Sequence, residues 1–141
     1  MVRKDKSIML VEDSSDDVVL IKRELESLGI NYNLLVEKDG EEALNYLYHR
    51  KEYSDREKFP DPDLILMDIK MPKISGIEVL KAIKSDKILS GIPVVMLTAS
   101  VLTKDIQDSF DGGCEHYVSK SVGFENFEGT IEPIVRYYLM K

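Results

Sequence analysis

Two apolar runs in this 141-residue chain stop on bare carboxylates. Ile8 to Val11 ends at Glu12-Asp13, and Leu64 to Met67 ends at Asp68, followed by Ile-Lys-Met-Pro and a glycine at position 76. Another run, Pro93 to Thr98, ends on a hydroxyl, and His116 to Val118 is soon followed by Lys120. Gathered in one place, Glu12, Asp13 and Asp68 would repel one another until a proton or a cation relieved them. Hard oxygen donors of this kind suit Mg²⁺, which takes one or two protein carboxylates and keeps several waters. A carboxylate can also act as a nucleophile and form an acyl phosphate, which gives Asp68 a role. Mg²⁺ would neutralise phosphoryl oxygens, Lys120 would pair with another, and Thr98 would donate a hydrogen bond to the third. Any one of these acids alone reads better as a helix cap or a solvated turn. Three acids, a hydroxyl and a lysine at the strand ends of one sheet read better as a site.

The elements that must position them alternate along the chain. After the first strand, Val18, Ile21, Leu25 and Leu28 fall at helical spacing before Gly29. Asn33 to Glu37 is a second strand, and Asp39-Gly40 opens a helix with Ala43, Leu44 and Leu47 on one face. Ile77, Leu80 and Ile83 line a third helix after Gly76, and Ile106 and Phe110 a short fourth one ending at Gly112-Gly113. Phe124, Phe127, Ile131, Ile134 and Tyr138 mark the last. Short, continuously apolar strands alternating with helices imply a parallel sheet covered on both faces. In such sheets ligands bind outside the carboxyl ends of the strands, where the five groups sit. The fold expected is a flavodoxin-like, doubly wound α/β domain of five parallel strands and five helices; right-handed crossovers leave few strand orders, and the family resemblance drawn below implies 2-1-3-4-5. A flavin-phosphate site is disfavoured, because four carboxylates in the first loop, VEDSSDD, would repel a phosphate unless a metal intervened.

The bulk properties are those of an ordinary globular domain, with 43% hydrophobic and 32% charged residues. A net charge of -7 disfavours sequence-independent nucleic-acid binding. One cysteine, Cys114, allows no internal disulfide and suits a reducing cytoplasm. The four-residue apolar stretch near the N-terminus is too short for a signal peptide, and no run reaches membrane-spanning length.

With these residues assembled, the chain resembles the receiver domain of two-component response regulators over nearly its whole length. The matching stretches are Glu12-Asp13, DIKMPKISG from Asp68 to Gly76, Leu97-Thr98-Ala99, and GCEHYVSK from Gly113 to Lys120, in the expected order. The resemblance implies that Asp68 accepts a phosphoryl group from a sensor histidine kinase or a phosphotransfer protein. It further implies that Asp13, Asp68 and the backbone carbonyl of Lys70 hold Mg²⁺, with Glu12 acting through water. Thr98, Ala99 and Lys120 would surround the phosphoryl group, and Thr98 and Tyr117 would form the family's switch pair. The face made by the fourth helix, fifth strand and fifth helix would signal to a protein target, or pair two copies. Residues 1–141 read as one receiver with no output domain, so the signal should leave by contact.

Three features depart from the family pattern. Ser121 follows Lys120 where proline is usual, Lys70 places a cation two residues after the acceptor, and Pro133 should kink or split the last helix. The connection from Tyr48 to Leu64 is longer than most and, with Lys120-Ser121, is similar to the regulators that partner phytochrome-type kinases. It reads equally as a partner contact or as an extended helix end with a solvated loop. Lys70 also stands where phosphatases of the haloacid dehalogenase type require a second aspartate. A binding-only pseudo-receiver would lack part of the acid, threonine and lysine set. Cys114 reads as a buried thiol, and His49 and His116 lack metal-ligand spacing. The six methionines read as core filler, and the terminal RYYLMK as sheet packing or a dimer seal.

Overall fold

The computed structural model describes residues 6–99, 102–120 and 127–140. Five strands alternate with five helices: β1 (Ser7–Val11), α1 (Ser15–Glu26), β2 (Asn33–Glu37), α2 (Gly40–Leu47), β3 (Leu64–Met67), α3 (Gly76–Ser85), β4 (Val94–Thr98), α4 (Thr103–Asp111), β5 (His116–Ser119) and α5 (Phe127–Leu139). All pair in parallel in the order β2-β1-β3-β4-β5, which is the topology expected from the sequence. Strand bounds agree within a residue; Pro93, which has no N–H for the ladder, precedes β4, while its carbonyl accepts from the Ile65 N–H at 3.0 Å.

The central strands are buried on both faces, which is why they lack polar alternation. Met9, Val11, Ile65, Met67 and Met96 face one layer, against Ala43 and Leu47 of α2 and Val79, Leu80 and Ile83 of α3. Ile8, Leu10, Leu64, Leu66 and Val95 face the other, against Ile21 and Leu25 of α1 and Ile131, Val135 and Leu139 of α5. Met9, Met67 and Met96 fill core space as expected, whereas Met140 is exposed. Cys114 is buried, and burial pushes its thiol up to about 11, so it is not a reactive thiolate.

Two expectations change, both at the last helix, whereas the fourth forms where Ile106 and Phe110 placed it; Phe110 is half exposed there, and α4 turns Ser109 inward, its hydroxyl donating to the Asp105 carbonyl at 2.7 Å. A short, mostly polar helix can meet its neighbours through a small hydrogen-bonded side chain where an aromatic ring would not fit. The inward face of α5 centres on Ile131, Val135 and Leu139, with Ile134 and Tyr138 at its margin; Phe124 and the side chain of Phe127 lie outside the described residues. Pro133 does not split α5, which runs unbroken from Phe127 to Leu139. The bond it removes is to the carbonyl of Gly129, which is exposed and open to water.

The long connection is not an extended helix end, because α2 stops at Leu47 and a 3-10 turn follows at Lys51–Tyr53. Tyr53 and Phe59 pack on Tyr46 of α2 with ring centroids at 5.1 and 5.7 Å, and Tyr46 Oη donates to the Pro60 carbonyl at 2.9 Å. Tyr53 Oη has one hydrogen for two acceptors, Glu37 at 3.2 Å and Glu42 at 3.0 Å. Burial pushes the Glu37 carboxyl up to about 7, against the Tyr53 hydrogen bond and with the negative charges of Glu42, Glu52 and Asp39 adding to it. A carboxyl raised in the folded state takes up a proton on folding, so its contribution to stability falls as pH rises from about 4.5 to about 7. Glu37→Gln should therefore be more stable than the wild type in urea unfolding at pH 8, with the gap closing below pH 5.

Candidate functional site

The sheet ladder continues one residue past several strands. The Asp68 N–H donates to the Val11 carbonyl at 3.0 Å, the Glu12 N–H to the Glu37 carbonyl at 3.0 Å, and the Lys120 N–H to the Thr98 carbonyl at 2.7 Å. Side chains that the sequence placed at strand ends are therefore held by sheet hydrogen bonds. Ser14 then caps α1, its hydroxyl accepting from the Asp17 N–H at 3.3 Å, and Ser75 caps α3 by accepting from the Glu78 N–H at 3.2 Å.

Between Asp68 and that cap the chain turns tightly. The Gly76 N–H donates to the Ile69 carbonyl at 2.7 Å, and a Cβ at position 76 would lie 1.9 Å from the Asp68 carbonyl oxygen. Glycine is thus a steric requirement of the loop that carries the acid. The Asp68 carboxylate accepts from the Ile69 N–H at 2.8 Å through Oδ1, leaving Oδ2 toward the other site groups.

Carboxylate oxygens of Glu12, Asp13 and Asp68 lie within 4.8 Å of one another. Glu12 is buried, Asp68 nearly so, and Asp13 opens to solvent. The Lys120 ammonium, with its side chain 6% exposed, sits among them. It donates to Glu12 Oε1 and, at 2.8 Å, to Asp17 Oδ2, and stands 3.6 Å from Asp68 Oδ2. Burial pushes the Glu12 carboxyl up to about 7; the Lys120 hydrogen bond opposes this and the charge of Asp68 adds to it. Burial by itself would lower the Lys120 ammonium, but hydrogen bonds to Asp17 and Glu12 and the charge of Asp68 hold it above its ordinary value.

Glu12, Asp13, Asp68, Lys70, Thr98, Ala99 and Lys120 all line one cleft of about 270 Å³, joined by Ser14 and Asp17. Tyr117 does not line it; this half-buried ring packs against the core layer on the α2 and α3 side. Lys70 and Ala99 are exposed at the rim, and Thr98 is buried. The sequence reading assigned no role to Asp17. It is one of four acids between Glu12 and Asp17, and its place in the first turn of α1, bonded to Lys120, is what distinguishes it. The Lys120-Ser121 peptide extends outside the described residues. The all-oxygen trio fits a hard divalent cation such as Mg²⁺, and the cleft sets four carboxylates against two lysines, Lys120 buried among them and Lys70 exposed at the rim, an imbalance that such an ion would relieve.

Residues 8–132 match the family profile described as the response regulator receiver domain. The chain is a member of the response regulator receiver family. Receivers accept phosphoryl groups in two-component signalling and deal with histidine kinases or phosphotransfer proteins. This receiver is 37% identical over 127 residues to the polar-differentiation response regulator DivK of Brucella anthropi, covering 90% of this chain and 94% of that one. The phosphorylated cyanobacterial phytochrome response regulator RcpA has the same fold with a TM-score of 0.87 at 37% identity, over 96% of this receiver and 95% of RcpA. The Mn²⁺-bound form of the response regulator Rcp1 follows at a TM-score of 0.84 and 36% identity, over 95% and 94%. The likeness to RcpA agrees with the phytochrome-associated branch to which the long connection pointed. Among the described residues of the receiver, no helix is long and apolar enough to cross a membrane.

Proposed function

We propose that this receiver is phosphorylated on Asp68. One Asp68 oxygen attacks the phosphorus of a phosphohistidine; the P–N bond breaks with its electron pair left on the imidazole, and an acyl phosphate forms. The observation that carries this is the buried Lys120 ammonium 3.6 Å from Asp68 Oδ2, beside a cluster of carboxylates. Asp13, Asp68, the Lys70 backbone carbonyl and, through water, Glu12 would hold Mg²⁺. The ion supplies neutralising charge for the phosphoryl oxygens. Lys120 takes a further oxygen, the Thr98 hydroxyl donates to another, and small Ala99 leaves the rim open to the donor. The complete set of acids, hydroxyl and lysine in one cleft favours a working acceptor over a binding-only relative.

Loss of charge balance on phosphorylation then draws Thr98 inward, with Tyr117 following, and alters the face made by α4, β5 and α5. Leu102, Phe110 and Tyr137 are exposed there, which suits a protein target or a second copy of the chain. A lone cysteine, Cys114, which can form no internal disulfide, suits the reducing cytoplasm, where the kinase would act.

The test is intact mass after incubation with acetyl phosphate, whose P–O bond breaks with release of acetate. The expected result is a gain of one phosphoryl group, seen with Mg²⁺ and absent in EDTA, and mapped to the peptide containing Asp68. An unchanged mass with both acetyl phosphate and phosphoramidate in Mg²⁺ would overturn the reading.

A further inference from the structure

Lys120 has three N–H donors, and two of them are already committed, to Glu12 and to Asp17. The ammonium is tetrahedral, so fixing two hydrogens fixes the third; Asp68 Oδ2, at 3.6 Å, lies beyond hydrogen-bond reach but within ion-pair distance. A phosphoryl oxygen on Asp68 would project further into the cleft than the carboxylate does. The two anchors are unlike each other. Glu12 belongs to the trio of oxygens within 4.8 Å that would hold a cation, whereas Asp17 does not. When a divalent cation draws on Glu12, Asp17 remains the carboxylate whose hold on Lys120 is independent of the metal.

Asp17 is also held in place. It lies in the first turn of α1, its own N–H bonded to the Ser14 hydroxyl, and its side chain is 32% exposed against 6% for Lys120. An acid in that turn favours any helix N-terminus, but Asp16 does that equally well and is exposed, while Asp17 turns to the cleft. We infer that Asp17 is a positioning residue for phosphoryl transfer, orienting Lys120 so that its free N–H faces the group arriving on Asp68. This inference rests on the reading of Asp68 as the phosphoryl acceptor.

The variant that tests it is Asp17→Asn, which keeps size and one acceptor oxygen but removes the charge. Outer-shell partners of this kind typically change activity by about ten- to a hundredfold. Phosphorylation by acetyl phosphate in Mg²⁺ should slow by about tenfold, with the thermal midpoint unchanged and Mn²⁺ affinity, read by EPR, little altered. The same substitution placed on Lys120→Gln should slow the reaction no further, because Asp17 acts through Lys120. A second readout needs no phosphorylation: the rate at which acetic anhydride modifies Lys120, followed by peptide mass, should rise several-fold in Asp17→Asn. An equal slowing on both backgrounds, or an unchanged Lys120 modification rate, would overturn the inference. If wild-type protein takes up no phosphoryl group, the acceptor reading fails, and the modification rate alone decides whether Asp17 orients Lys120.

Discussion

Asp68→Asn should take up no phosphoryl group from any donor, and in EDTA it should unfold at a higher urea concentration than the wild type. The first effect follows from chemistry, since a neutral amide has no anionic oxygen with which to attack phosphorus. The second follows from charge. Asp68 contributes to the upward push on Glu12, and their oxygens, with those of Asp13, lie within 4.8 Å of one another around one shared ammonium. The amide can still accept from the Ile69 N–H, as Oδ1 does at 2.8 Å, so no backbone donor is orphaned. A gain of about 1 kcal/mol is the scale expected when a functional site is relieved of strain. The sign can be checked against pH. Because Glu12 is raised in the folded state to about 7, its contribution to stability falls as pH climbs from about 4.5 through 7. The stability gap between variant and wild type should therefore be widest at pH 8 and narrow toward pH 5. Mg²⁺ should shrink the gap or reverse it, because a cation bound only by the folded state stabilises the wild type in proportion to its affinity. A variant that loses both phosphorylation and stability would point to Asp68 as a structural carboxylate.

Among the described glycines, Gly76→Ala should be the most damaging substitution. The added carbon would stand 1.9 Å from the Asp68 carbonyl oxygen and 2.8 Å from its carbon, both of them backbone, so no side-chain rotation can make room. The loop can yield only by moving away from Asp68, which breaks the 2.7 Å bond from the Gly76 N–H to the Ile69 carbonyl and shifts the Ser75 cap of α3. Overpacking of this kind costs on the order of 3 kcal/mol. Residual folded protein should also phosphorylate slowly, since a displacement of about an ångström at the reacting group can cost a hundredfold in rate. Urea unfolding and the acetyl phosphate assay measure the two effects separately. A comparison at Gly91, where an added Cβ meets nothing within 4 Å, should leave both nearly unchanged. Wild-type behaviour of Gly76→Ala would show that the loop has freedom which the close approach denies.

Much of this was legible in the sequence, for identifiable reasons. The runs ending in Glu12-Asp13 and Asp68 announced both strand and site, because a strand buried on both faces has no polar residue until it leaves the sheet. Asp39 and Gly40 were legible as a helix start, and the Asp39 carboxylate does cap α2 by accepting from the Glu42 N–H at 2.8 Å. Less legible was anything decided by a distant partner. Phe110 fitted a helical stripe, but whether that stripe faces the sheet depends on how α4 lies against α3 and β5, which periodicity does not carry. Pro133 was overweighted, because the cost of a proline depends on whether the released carbonyl is buried, and Gly129 is exposed. Asp17 was hidden by abundance: four acids crowd one loop, and only the position of Lys120, 103 residues further on, singles it out.

The extra rungs of the ladder beyond β1, β3 and β5 give the site a floor. Glu12, Asp68 and the backbone of Lys120 are floor, tied to the strands by hydrogen bonds of 2.7 to 3.0 Å, so they cannot loosen without fraying the sheet itself. On the switch proposed above, the Thr98 hydroxyl and, behind it, the Tyr117 ring would be the side chains that change rotamer over that base. On that proposal a phosphoryl group arriving on Asp68 would meet an anvil: the floor would hold, and the disturbance would pass outward through those side chains to the surface that a partner can read.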